Sequence, residues 1–268
     1  MSGPPGGWRG LDLAAAPTDA PAAFCADLSA EGLLDAYRHG LFPLPAPDEY
    51  ARCLNEALYE DQVAAGRITL LGEAEAAYRV AWWSPDPRLV IGVGRARLPR
   101  RLARRLRNRD DWSTSLDQAF PEVLAGCADG RDRHWLTGEL RTALARLHER
   151  GAAHSAEVWA DGELIGGAFG VRVGPVLSLD SMFHRRPDAS RVAIADLAAR
   201  FAEAGGHLLD VQWDSPHIRT LGAVPIPRPQ YLATLRGPAA GRPPVGGRPA
   251  RALALDAPRP TGGSNPFS

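Results

Sequence analysis

The chain contains no lysine: all 31 of its basic residues are arginine, and 31 acids bring the formal net charge to zero. No overall field marks it for nucleic acid, so a phosphate-binding surface has to be a local cluster. Arginine suits such a cluster because its planar fork donates in pairs to phosphate oxygens. Cysteine is scarce as well. Cys25, Cys53 and Cys127 stand far apart without a CxxC pair, which argues against a disulfide framework or zinc site and for a reducing, cytoplasmic setting. There is no apolar run of membrane-spanning length. The N-terminus lacks the charged-then-apolar order of a signal peptide. Walker, GxGxxG, GxSxG and HExxH motifs are also missing, which removes the commonest nucleotide, hydrolase and zinc-protease signatures.

Glycine and proline, by contrast, are plentiful, and they gather at the ends. Residues 1–20 and 237–268 hold too few large apolar side chains to offset ordering entropy and are expected to be disordered tails. Between them, "LSAEGLLDAYRHG" predicts a helix capped by Ser29 and ended by Gly40. "LFPLP" is held extended by its prolines, "DEYARCLNEALYEDQVAAG" reads as a helix, and "AWWSPDPRLV" as a strand broken by prolines. After the amphipathic helix "TGELRTALARLHERG", the apolar period drops to two. "SAEVWADGELIGGAFGVRVGPVLSLDSMF" predicts three antiparallel strands, followed by a helix from "DASRVAIADLAARFAEAGG", the strand "HLLDVQW", and a last strand and helix through "AVPIPRPQYLATL". This order predicts an α+β fold with a mixed, mostly antiparallel sheet.

The strand "HLLDVQW" carries its own puzzle. Asp210 and Gln212 interrupt an apolar run two residues apart and so share one strand face. Inside a sheet, an unsatisfied polar group costs about 1–3 kcal/mol and a charge more. Either this is a solvated edge strand, or the pair belongs to a site. "LSLDSMF" poses the same choice through Asp180, as a strand end or as a second carboxylate in the same cleft. Trp82 and Trp83 fit an interface cluster or a stacking platform for a base, as does Trp135. In "LPRRLARRLRNR", Leu98, Leu102 and Leu106 form an apolar ridge that leaves Arg100, Arg104 and Arg107 on another face. That face is either simply solvated or a phosphate-binding surface.

Several segments, in order, resemble one family. "DLSAEGLLDAYRHGLFP", "WWSPDPR", "HWLT", "LHERGAAHSAEVWADGELIGGAFGV", "DSMFHRRPDAS", "LLDVQ" and "LGAVPIPRPQYL" are similar to the leucyl/phenylalanyl-tRNA–protein transferases. The resemblance implies a small N-terminal domain at 21–92, with an insert near 46–78. It also implies a catalytic domain at 93–236 with the acetyltransferase-like (GNAT) fold. It implies transfer of leucine or phenylalanine from aminoacyl-tRNA to the α-amine of a protein beginning with arginine or lysine, marking that protein for degradation. No metal or coenzyme is implied. Asp210 and Gln212 match the family's catalytic Asp-x-Gln. The implied roles are Gln212 hydrogen-bonding the attacking amine, with Asp210 polarising it and assisting proton removal. Trp135 matches a tryptophan at the 3′-adenosine, and Arg100, Arg104 and Arg107 lie where basic residues meet the acceptor stem.

This chain departs from the family at several positions. Asp180 stands where a glutamate is usual, and Leu44 where a tryptophan is usual. Ala168, Leu177, Leu179 and Leu197 replace the usual methionine, phenylalanine, glycine and phenylalanine of the donor pocket, while Met182 is kept. The reshaped pocket favours leucine as donor. Two other readings compete: aminoacylation of a small-molecule amine, and acetyl-CoA-dependent N-acetylation. The second needs a glycine-bearing loop whose N–H groups face a pyrophosphate, and "HRRPDAS" has no glycine.

Overall fold

The computed structural model describes residues 7–72, 76–96, 98–108, 111–129 and 135–255. Within them the chain forms β1 (Ala23–Cys25), α1 (Ala30–Arg38), β2 (Phe42–Pro45), α2 (Glu49–Ala64), β3 (Thr69–Leu71), β4 (Val80–Trp83), β5 (Arg88–Gly92), α3 (Arg100–Asn108), β6 (Trp112–Leu116), α4 (Phe120–Ala128), α5 (Gly138–Glu149), β7 (Ala153–Ala160), β8 (Glu163–Val173), β9 (Val176–His184), α6 (Ala189–Glu203), β10 (Leu208–Gln212), α7 (Pro216–Arg219), β11 (Val224–Ile226), α8 (Arg228–Leu235), β12 (Arg248–Pro249) and α9 (Arg251–Leu255). The fold is α+β, built on two mixed sheets.

The smaller sheet has the order β2-β4-β1-β3 and the larger β11-β5-β10-β9-β8-β7-β6-β12. The prolines of "AWWSPDPRLV" mark the passage between them: Trp82 and Trp83 end a strand of the first sheet, and Arg88 opens a strand of the second. The larger sheet therefore takes in the chain from Arg88 onward. Local signals behave as their chemistry dictates. The Ser29 hydroxyl accepts from the Gly32 N–H at 3.1 Å, and Thr137 caps α5 through the Leu140 N–H at 3.3 Å. Gly40 adopts φ 83° after α1, a conformation that glycine takes without strain.

Two apolar layers cover the larger sheet. On one face, α6 packs Ile194, Leu197 and Phe201 against Leu177, Leu209 and Val211. On the other, α1, α4 and α5 pack Leu33, Phe120 and Leu144 with Phe169 and Val171. Each fully buried side chain of this size contributes about 1.5–3 kcal/mol. The described residues within 7–20 and 237–255 include two anchors. Trp8 is buried with its ring 4.7 Å from that of Trp82. Arg248, on β12, reaches Asp196 at 2.5 Å and Glu203 at 3.0 Å. A few well-placed anchors outweigh the entropy of the surrounding glycine and proline.

Candidate active site

The strand carrying Asp210 and Gln212 lies in the interior of the sheet, between β5 and β9. The edge-strand reading is thereby overturned, since both side chains are buried. The parallel ladder with β9 runs from Leu208↔Val176 to Asp210↔Ser178 and ends there. Each strand also carries a bulge at this level. Phe169 and Gly170 face Ser181 and Leu179, leaving Asp180 as the extra residue, and Val90 and Leu89 face Asp210 and Gln212, leaving Val211. Bulges re-aim side chains and interrupt pairing. Past the last ladder pair, side chains bridge the two strands: Gln212 Nε2 donates to Ser178 Oγ at 3.2 Å and to Asp180 Oδ1 at 2.8 Å. Asp180 and Gln212 thus meet through their side chains.

Asp210 is completely enclosed. Its Oδ1 accepts from Arg88 Nε and from the Gln212 backbone N–H, both at 2.9 Å. Its Oδ2 accepts from Arg88 Nη2 at 2.7 Å and from the Tyr231 hydroxyl at 2.8 Å. Four donors fill the four acceptor positions of a carboxylate. Arg88 is held in turn between two rings, Phe42 at 4.6 Å and Tyr231 at 4.5 Å, and it donates to the Gly40 carbonyl at 3.3 Å. Burial pulls the Arg88 guanidinium toward deprotonation, but the adjoining Asp210 charge outweighs it and holds the group above arginine's ordinary value. Gln212 takes φ 63°, a left-handed conformation that costs a non-glycine residue about 1–2 kcal/mol. The bond from its N–H to Asp210 holds it there.

Asp180 differs from Asp210 in having room left. It accepts from Tyr37 Oη at 2.7 Å, Ser178 Oγ at 2.9 Å and Gln212 Nε2 at 2.8 Å, three donors for four positions. Burial pushes its carboxyl up to about 7, helped by the Asp210 charge and opposed by the Tyr37 and Ser178 hydrogen bonds. Burial also raises the phenols of Tyr37 and Tyr231 well above their ordinary value, which keeps both as donors. With both Gln212 amide hydrogens directed at Ser178 and Asp180, its Oε1 is left as an acceptor.

The expected donor-pocket residues converge too. Ala168, Leu177, Leu179, Leu197 and Met182 join one cluster between the sheet and α6, on the face opposite the Asp210 carboxylate. Trp135 is half-buried against the other apolar layer, beside α5. Arg100, Arg104 and Arg107 are exposed on α3, while Leu102 and Leu106 are buried. Next to them, Arg101, Arg104 and Arg105 line a groove of ≈ 670 Å³ with Pro187 and Asp188. Trp82 is buried with its Nε1 donating to the Cys25 carbonyl at 2.8 Å, whereas the ring of Trp83 lies 4.9 Å from that of Trp213, the residue after Gln212.

Sequence reasoning passed over Arg88, Tyr231, Tyr37 and Ser178. All lie inside segments already singled out, and one signal was available: an arginine opening the apolar run "RLVIG" needs a buried acid. The polar residues of "HSAEVW" form a separate brace. Glu157 accepts from Ser115 and Ser155, each at 2.5 Å, and His154 pairs with Asp117 at 2.8 Å. Among the described residues, no three His, Cys, Asp or Glu side chains gather as a metal site, and no helix is long and apolar enough to cross a membrane.

The Asp-x-Gln pair thus lies on a buried strand that is joined, through Gln212, to the acidic bulge of its parallel neighbour. Residues 90–236 match the family model described as leucyl/phenylalanyl-tRNA protein transferase. This chain belongs to that family. A leucyl/phenylalanyl-tRNA–protein transferase of Thiobacillus denitrificans is 39% identical over 78% of this chain and 80% of its own length. One of Chromohalobacter salexigens is 39% identical over 77% and 70%, and one of Salmonella paratyphi A 38% identical over 79% and 78%. At the bulge, the Tyr37 hydroxyl meets the Asp180 carboxylate directly.

Proposed function

We propose that this protein transfers leucine from aminoacyl-tRNA to the α-amine of proteins beginning with arginine or lysine, and so marks them for degradation. The observation that carries this reading is the hydrogen-bonded row Arg88–Asp210–Gln212–Asp180 at the level where β9 and β10 stop pairing. A site of this kind suits an aminoacyl ester, which is already activated and needs chiefly an amine held against its carbonyl. Orientation alone removes roughly 7–11 kcal/mol of barrier in good cases. Gln212 Oε1 accepts a hydrogen bond from the attacking amine and aims its lone pair. Asp180, with an acceptor position free and its carboxyl raised to about 7, takes the amine proton as the C–N bond forms. The ester C–O bond breaks, and the proton taken up by Asp180 passes on to the departing 3′-oxygen of the terminal adenosine, which leaves as the hydroxyl and restores the carboxylate.

In this reading Asp210 positions the amide rather than taking the amine proton. With every acceptor position occupied it cannot receive the proton; it fixes the Gln212 backbone instead. The divergence of β9 and β10 favours an acetyltransferase-like sheet, with the donor side chain entering between the strands toward Leu177, Leu179 and Met182. Two leucines there favour leucine over phenylalanine. Trp135 stacks on the terminal adenosine, and Arg100, Arg104 and Arg107 hold acceptor-stem phosphates without reading sequence. The test is mass spectrometry of an Arg-initial peptide incubated with leucyl-tRNA and the protein. One added leucine at the N-terminus is expected. No adduct on the peptide, with leucine appearing on a small amine instead, would overturn the reading.

A further inference from the structure

Among the described residues, nothing covers the apolar outer face of helix α2. Tyr50 is 79% exposed, Leu54 46% and Leu58 59%. At spacings of four residues they line one stripe, which Cys53, Ala57 and Ala64 extend, all exposed. α2 has no buried residue in its length; Tyr59 and Val63 on its inner side rest against the cluster around Phe24. Among the described residues, six large hydrophobics are exposed, and four of them, Tyr50, Leu54, Leu58 and Leu70, fall in the segment 46–78; a fifth is Trp213. Concentration of this kind on one surface marks an interaction site.

The charge of the segment selects the partner. From Asp48 to Ala64 there are five acids and one arginine. Arg52 is engaged by Glu49 at 2.6 Å and Glu56 at 3.0 Å, which leaves Glu60 exposed at the edge of the stripe and Asp61 exposed within it. Such a face repels RNA and attracts a basic, apolar polypeptide. Position narrows the choice further. Tyr59 touches Trp83 with ring centroids 6.5 Å apart, and Trp83 touches Trp213 at 4.9 Å, next to Gln212. The outer face lies a further helix width, about 10 Å, away, so roughly six or seven residues of extended chain would bridge the path.

We infer that the outer face of α2 binds the acceptor polypeptide downstream of its N-terminal residue, taking an unfolded segment rich in arginine or lysine and aliphatic side chains. The inference rests on the transferase reading and adds to it a second point of contact, so that acceptor choice extends beyond the first residue. Two acceptors separate the parts: an Arg-initial dipeptide, too short to reach α2, and an unstructured Arg-initial polypeptide carrying spaced arginines and leucines. In a triple variant Tyr50→Ser, Leu54→Ser, Leu58→Ser, KM for the polypeptide should rise about tenfold or more, with kcat and the dipeptide kinetics unchanged. The charge-reversing pair Glu60→Arg, Asp61→Arg should raise the same KM and lessen its dependence on salt. Identical kinetics of variant and parent toward the polypeptide would overturn the inference. So would a parent dimer, seen by sedimentation, that the triple variant dissociates while leaving KM unchanged, because the stripe would then be covered by a second copy. Failure of the parent to transfer leucine even to the dipeptide would instead remove the transferase reading on which the inference rests.

Discussion

Replacing Tyr37 with phenylalanine removes one hydroxyl from the site and should move its pH dependence in a calculable direction. Tyr37 donates to Asp180 Oδ2 at 2.7 Å, and burial has already pushed that carboxyl up to about 7. Transfer needs the ionised carboxylate to receive the amine proton, so activity rises as pH climbs through this value. The hydroxyl favours the ionised form, so its loss makes ionisation harder and shifts the rising limb toward alkali. A hydrogen bond to a charged group is worth about 1.5–3 kcal/mol. At 1.36 kcal/mol per pH unit, that moves the limb up by about one to two units. The acceptor α-amine titrates near 8 with the same sign, and the parent profile alone mixes the two. Tyr37→Phe displaces only the Asp180 contribution, and Asp180→Asn should abolish it and leave the amine's titration. The assay is single-turnover transfer to an Arg-initial peptide from pH 5.5 to 9, with spontaneous ester hydrolysis counted separately. A limb that stays in place in Tyr37→Phe, or moves toward acid, would refute a proton-accepting role for Asp180.

Three further outcomes follow from the same geometry. Arg88→Leu strands the Asp210 charge in the interior and should cost about 3–5 kcal/mol, read as a fall in denaturant midpoint; Arg88→Lys should recover little, because a point charge cannot reproduce the two-pronged contact. Arg104→Glu should weaken aminoacyl-tRNA binding and flatten its salt dependence by roughly one phosphate contact, measured by filter binding across salt concentrations, with single-turnover rates at saturating tRNA unchanged. Leu179→Gly should open the cluster under α6, raising the phenylalanine-to-leucine ratio of kcat/KM while lowering stability by about 2–5 kcal/mol.

Much of the fold could be read directly in the residues. Ser29 and Thr137 cap the helices they precede, and the switch from a helical to an alternating apolar pattern after Gly151 marks the start of the β7–β9 meander. The oddity of Asp210 and Gln212 on an apolar strand was visible as well, because local composition records an unpaid polar group. Its partners were not visible. Arg88 and Tyr37 lie 122 and 143 residues from Asp210 and Asp180, and such contacts are set by sheet order, which no local pattern encodes. The bulges at Asp180 and Val211 escaped for a similar reason: each is a mismatch between two strands and belongs to neither alone. Contacts such as those of Trp8 and Arg248 were not visible either, because a composition average dilutes a single anchor.

The central claim is that a buried, fully bonded aspartate holds the neighbouring carboxamide where an incoming amine meets the aminoacyl ester. Gln212→Ala tests it most directly, with the single-turnover rate of leucine transfer and the affinity for leucyl-tRNA measured on the same preparation. The account predicts a rate lowered by about a hundredfold or more with tRNA affinity intact. A transfer rate equal to that of the parent would contradict it.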